Sequence, residues 1–151
     1  MKLTSYTDYS LRVLIYLGTL DEGRLVNIKE IAEIYQISKN HLMKVIYDLG
    51  RFGYIETVRG RNGGVKLALK PEEINIGEVI QKTEDDFYMA ECFDPSNKGC
   101  VISPACKLKK ALDEAVHAYL NVLKSYTLAD ILENKSSLQK LFSIQIEKTR
   151  S

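Results

Sequence analysis

Two helix-start signals, Asn27 and Ser38, stand close together in this chain, and a glycine-rich turn with two arginines follows soon after. Asparagine and serine oxygens accept hydrogen bonds from the free amides of a helix's first turn, which is why they mark helix starts. Glu30, three residues after Asn27, predicts a capping-box-like pair. Ile28, Ile31, Ala32 and Tyr35 then recur at helical spacing, and only Gln36-Ile37 separates this helix from the one opened by Ser38. That second helix is predicted to reach about Phe52. Leu42, Val45, Ile46 and Leu49 fall in one sector, and Lys39, Asn40, Met43, Lys44, Tyr47 and Arg51 in the opposite one. Tyr54–Val58 and Val65–Leu69 read as strands around Arg59-Gly60-Arg61-Asn62-Gly63-Gly64, a turn signal, so a β-hairpin is expected before Pro71.

An earlier helix is predicted over Thr7–Leu20, with Leu11, Leu14, Ile15 and Gly18 on one face and Asp21-Glu22-Gly23 as its stop. The order helix, helix, tight turn, helix, basic hairpin is that of a winged helix-turn-helix. The fold class expected is mainly α with a small β-hairpin. In this motif the last helix enters the major groove of DNA. Lys39 and Lys44 suit phosphates or guanine edges, Asn40 suits adenine, and Ser38 suits a phosphate at the helix N-terminus. His41 lies beside this face, and Arg59 and Arg61 suit the backbone or minor groove from the hairpin tip. Charge supports the same half. Residues 1–70 carry 11 Lys and Arg against 7 Asp and Glu, whereas residues 71–151 carry 10 against 13. A polyanionic partner is therefore expected for the first half only.

Past Pro71, Asn75 is expected to cap a short helix over Ile76–Thr83. A long helix is predicted from about Pro104 to Tyr126, striped by Leu108, Ala111, Leu112, Ala115, Tyr119, Val122, Leu123 and Tyr126. A stripe of that length needs a partner surface. Leu128–Asn134 reads as a short helix, and Leu138, Leu141, Phe142 and Ile144 as a weak C-terminal one prone to fraying. His117, mid-helix with no second ligand nearby, is read as structural.

The three cysteines, Cys92, Cys100 and Cys106, all lie within 15 consecutive positions of a polar, turn-rich stretch. An odd count leaves one thiol over after disulfide pairing. Three thiolates suit zinc or an iron–sulfur cluster, although the CxxC pairs of zinc ribbons are absent. A fourth ligand must come from elsewhere: a carboxylate, a His, a water or another subunit. Lys98, Lys107, Lys109 and Lys110 offset the charge of an anionic cluster. No apolar run of about 18 residues is present, so no transmembrane helix is expected. Met1–Asp8 lacks the apolar stretch of a secretory signal, and a cytoplasmic protein with reduced thiols is expected. No nucleophile–base pair or nucleotide loop points to an enzyme.

Several stretches resemble the iron–sulfur winged-helix repressors. These are Leu3-Thr4-x-Tyr6-x-Asp8-Tyr9-x-Leu11-Arg12, Ser38-x-x-His41-Leu42-x-Lys44-Val45, Arg59-Gly60-x-x-Gly63-Gly64 and the cysteine segment, spanning Lys2 to about Leu132. Lys39–Ile46, Asn75–Val79 and Lys82–Phe87 look like the nitric-oxide-sensing branch in its Bacillus-type form. The resemblance implies a homodimeric repressor with one 4Fe–4S cluster per subunit, a 2Fe–2S cluster being the alternative. It implies cluster ligation by Cys92, Cys100 and Cys106, with Asp8 of the partner subunit as the fourth ligand and Arg12 supporting that carboxylate. It also implies dimerisation through the long helix and a palindromic, AT-rich DNA operator released on reaction with nitric oxide. Where the cluster-biogenesis regulators of this family have a histidine, three residues after the last cysteine, this chain has Lys109. The division expected is 1–83 for DNA binding, 84–106 for the cluster loop and 107–151 for the dimerisation helix and tail. A redox-, thiol- or zinc-responsive winged-helix regulator, a cluster-biogenesis-type regulator and a protein-binding adaptor stand as alternatives.

Overall fold

A computed structural model describes residues 1–97 and 99–151, so Lys98 lies outside the described residues. Helix α1 spans Ser5–Gly18, earlier at both ends than its apolar pattern predicts. Thr4 sets the start, its hydroxyl accepting the Thr7 amide at 3.2 Å. The chain then leaves the helix at Thr19, whose hydroxyl donates to the Tyr16 carbonyl at 2.7 Å.

Helix α2 spans Ile28–Tyr35 and α3 spans Lys39–Arg51. Asn27 accepts the Glu30 amide at 2.8 Å, as its spacing predicts. The reciprocal half of the expected capping box does not form. The Glu30 carboxylate is held instead by the Tyr16 hydroxyl and by Arg24 at 3.2 Å. A tertiary partner has outcompeted a local one. Gln36 closes α2 in the left-handed region at φ 54°.

Strand β1 (Ile55–Val58) pairs antiparallel with β2 (Gly64–Leu67), from Ile55 opposite Leu67 to Val58 opposite Gly64. Val26, just ahead of α2, bridges Val65 through bonds of 3.0 and 2.8 Å. The wing is therefore anchored to the helix-turn-helix by main-chain bonds. Gly63 permits the tight return, because a Cβ there would sit 2.0 Å from the Val58 carbonyl oxygen.

A single turn at Pro71–Glu73 leads to α4 (Ile76–Thr83). Asn75 caps α4 by accepting the Glu78 amide at 3.1 Å, and its amide nitrogen donates to the Lys124 carbonyl at 2.7 Å. Helices α5 (Lys107–Lys124), α6 (Leu128–Ile131) and α7 (Lys135–Arg150) complete the chain. The core draws on both sides of Thr83: Val13, Leu14, Ile31, Leu42, Leu49, Val79 and Ile80 share one buried cluster with Leu128 and Leu132.

Two further features differ from the sequence expectation. The predicted stripe of α5 splits: Leu108, Val122 and Tyr126 are exposed, and Leu120, outside that stripe, is its buried residue. The C-terminal segment is a sixteen-residue helix docked on α1 and α2. Phe142 meets Tyr16 and Tyr35 edge-on, at centroid distances of 5.0 and 5.7 Å, and Gln139 donates to the Thr19 carbonyl at 2.6 Å. Its weak pattern reflects a narrow stripe, Leu138, Phe142 and Ile146 packed on the core, with Leu141 and Ile144 left exposed.

Candidate nucleic-acid interface and thiol site

Helix α3 buries Leu42, Val45, Ile46 and Leu49 and leaves Ser38, Lys39, Asn40, His41 and Lys44 exposed. One basic, amide-bearing surface results. Ser38 accepts the His41 amide at 3.3 Å, which fixes the start of the helix. His41 lies beside the Tyr9 ring at 6.2 Å, centroid to centroid. Arg59 and Arg61 are exposed at the wing tip around Gly60, whose φ of 112° suits a residue without a side chain. Among the described residues neither arginine makes an ion pair.

Tyr6 of α1 supports this face, a role not read from its place in the sequence. Its hydroxyl donates to Asp48 of α3 at 2.6 Å, and the Lys44 ammonium lies 5.4 Å from its ring centroid. Burial, with the Asp48 hydrogen bond adding to it, raises the Tyr6 phenol above the ordinary tyrosine range. Tyr16 is raised by burial and Glu30, and Tyr35 by burial. A raised phenol pKa favours the protonated folded state. Its contribution is fully present below about pH 10 and is lost as pH climbs above that value. Urea unfolding midpoints should therefore hold steady up to about pH 9 and fall beyond pH 10, and less steeply in Tyr6→Phe.

On the same helix, Asp8 pairs with Arg12 at 2.9 Å, both side chains 43% exposed. Arg12 lies 5.7 Å from the Tyr35 ring centroid, and the Tyr35 hydroxyl donates to the Arg12 carbonyl at 2.9 Å. The two residues expected to act together thus meet within one chain. The start of α1 is tied to the entry of the cysteine segment, since the Thr4 amide donates to Glu84 at 2.8 Å and its hydroxyl does so at 3.0 Å.

Within that segment Cys92 sits in a single turn, Glu91–Phe93, Cys100 is exposed, and Cys106 caps α5. The Cys106 sulfur accepts the Lys109 amide at 3.3 Å, where the helix N-terminus favours negative charge. The Lys109 ammonium lies 5.6 Å from the Phe93 ring centroid, and Phe93, Cys106, Lys109, Lys110 and Asp113 line a shallow pocket. Ser96 holds Asp94 below the usual carboxylate range by hydrogen bonds from its hydroxyl and amide. All three cysteines are free thiols. Among the described residues, no three His, Cys, Asp or Glu side chains converge as a metal-binding group, so the three thiols and Asp8 are not brought together. The donors fit an iron–sulfur cluster in kind: three thiols, one already placed in a favourable helix field beside two lysines. No helix is long and apolar enough to cross a membrane among the described residues.

Comparison with known proteins agrees with this architecture. The chain is 61% identical over 145 residues to the HTH-type transcriptional regulator NsrR of Bacillus subtilis, covering 96% of this chain and 99% of that protein. Its fold is similar to IscR of T. potens, with a TM-score of 0.72 and 25% identity over 92% of this chain and 91% of that one. It is also similar to the oxidized form of Staphylococcus aureus CymR, with a TM-score of 0.69 and 27% identity over 88% and 97% of the two chains. The family model Rrf2, described as iron-dependent transcriptional regulator, matches residues 3–134. The chain belongs to the Rrf2 family of iron-dependent transcriptional regulators, with a winged helix-turn-helix as its fold.

Proposed function

We propose that this chain is a homodimeric repressor that binds a palindromic, AT-rich DNA operator and senses nitric oxide through a 4Fe–4S cluster. Residues 1–83 form the DNA-binding part, 84–106 the cluster loop, and 107–151 the dimerisation helix and tail. The observation that carries the reading is the thiol segment leading straight into α5, with Cys106 as its cap and Leu108, Val122 and Tyr126 uncovered beyond it. A second copy covering that flank would relate two α3 helices by a two-fold axis, as a palindrome requires. Ser38, Lys39, Asn40, His41 and Lys44 then face the major groove, and Arg59 and Arg61 the adjacent backbone or minor groove.

Cys92, Cys100 and Cys106 would hold the cluster, with Asp8 from the other subunit as the fourth ligand. When bound, the cluster supplies iron sites open to nitric oxide, and a carboxylate is more exchangeable on iron than a thiolate. In that role Asp8 would link the loop of one subunit to the α1 helix of the other, and Arg12, 2.9 Å from that carboxylate, would position it. Tyr6 and Asp48 couple α1 to the α3 helix it supports, so a change at Asp8 would be felt at the DNA-reading face.

Anaerobic protein should absorb in the visible, bind its own promoter fragment, and release it as nitric oxide is added. Asp8→Ala should remain a folded dimer with a less stable cluster or an altered nitric oxide response. A colourless wild type whose DNA affinity ignores nitric oxide sinks the reading. An Asp8→Ala spectrum and response equal to wild type removes Asp8 from the ligand set. The exposed, free Cys100 thiol favours a second reading, a thiol- or zinc-based regulator. Iron and sulfide analysis against zinc content separates the two.

A further inference from the structure

The outward face of α3 carries an apolar strip that none of the roles above uses. Met43 is 51% exposed and Tyr47, one turn further, 67% exposed. Residues four apart on a helix lie one above the other, so the two form one continuous strip. Neither belongs to the core, which takes Leu42, Val45, Ile46 and Leu49 on the other side of the helix. The strip is bordered by Lys39, Asn40 and Lys44, all exposed. Tyr47 is flanked by Arg51, whose guanidinium lies 5.9 Å from its ring centroid and is anchored to Asp48 at 3.3 Å.

A cationic rim around an apolar centre narrows the possible occupant. The rim selects a polyanion. A major-groove floor offers one apolar group on its base edges, the 5-methyl of thymine. A solvated amine or a phosphate gains nothing from a thioether, whereas a thymine methyl is removed from water by it. Met43 lies in the second turn of α3, within the N-terminal part of a recognition helix that reaches base edges.

We propose that Met43 is a specificity-determining residue that reads the 5-methyl group of a thymine in each half-site, with Tyr47 flanking it. The inference rests on the DNA-binding reading and deepens it. It gives a physical reason for an operator rich in A·T pairs beyond groove shape: the helix itself prefers T to C at the position beneath Met43.

The test uses the full-length protein and duplexes selected from a random pool by binding to it. Each thymine of the best duplex is replaced in turn by deoxyuracil, which removes only the methyl. At one thymine per half-site, wild type should lose roughly fourfold in affinity, the factor expected for one buried methyl group. Met43→Ala should bind both duplexes equally, and Met43→Leu should restore the discrimination. The proposal is overturned if no methyl deletion weakens wild-type binding, or if Met43→Ala keeps the same penalty at every position. It is also overturned if Met43→Ala alters only the oligomeric state in sedimentation, which makes the strip a protein interface. Failure to select any duplex overturns the DNA-binding reading itself, whereas selected duplexes that are blind to the methyl overturn only the role of Met43.

Discussion

Replacing Cys106 by serine should leave α5 intact while iron and acid-labile sulfide in the purified protein fall to background. The two outcomes separate because Cys106 has two roles. As a cap it accepts the Lys109 amide, and a serine oxygen is among the preferred groups for that task. As a proposed ligand it is one of only three thiols in the chain, and a serine hydroxyl does not replace a thiolate on a cluster of this kind. Cys106→Ala should lose both functions, adding a cost of about 1 kcal/mol for the missing cap. Thermal unfolding and metal analysis on the same three preparations read the two effects independently. A serine variant with wild-type iron and a wild-type visible spectrum would falsify ligation by Cys106. The DNA affinity of a cluster-free serine variant should match that of apo wild type.

Gly77→Ala should destabilise the protein by about 3 kcal/mol, a large effect for one methyl group. A Cβ on Gly77 would lie 2.6 Å from the Lys124 amide nitrogen and 2.9 Å from its Cα, and main chain at a helix end has no rotamer to change. That end of α5 is already fixed by the bond from Asn75 to the Lys124 carbonyl and by the bond from the Ile76 amide to the Tyr126 carbonyl. The added methyl must push α4 and α5 apart and stretch these bonds. Gly50→Ala is the control. Gly50 lies in α3, where the nearest atom to a new Cβ is the Ile55 carbonyl at 3.9 Å. Alanine there should stabilise by about 0.5–1 kcal/mol, through better helix propensity alone. Urea unfolding of both variants checks the pair of opposite signs. A Gly77→Ala variant as stable as wild type contradicts the close packing of α4 on α5.

These cases also show what kind of information was legible in the chain. Asn27, Ser38 and Asn75 act within their own first turns, so three letters predict both the cap and the helix start. The hairpin was legible for the same reason, since Gly60 and Gly63 answer local backbone demands, whereas Gly64 answers the close approach of the Val26 backbone. The outward face of α3 followed from its period alone. Glu30 departs from the expected capping box because its choice between Asn27 and Tyr16 depends on α1, which no local rule consults. The burial of Leu120 does not follow from the period of α5, because α5 is seated on α4 by the close approach of Gly77 to Lys124, a tertiary contact. The docking of α7 uses Leu138, Phe142 and Ile146 with Gln139, a narrow stripe obscured by the exposed Leu141 and Ile144. In the candidate site, the three cysteines and Asp8 were chosen by residue type and resemblance. The proposed assembly of these four would need a closed loop and a second subunit, neither of which a pattern of letters encodes.

Three of the attachments of helix α1 lie near its start on different sides: Thr4 to Glu84, Tyr6 to Asp48, and Arg12 to the Tyr35 ring and hydroxyl. It therefore behaves like a crankshaft whose journals are all seated at once. Adding one residue after Tyr6 would turn everything beyond it by about 100° relative to Thr4 and Tyr6. Either the pair at its start or Arg12 would leave its seat. The protein can exchange side chains along this helix, but it cannot change their phase.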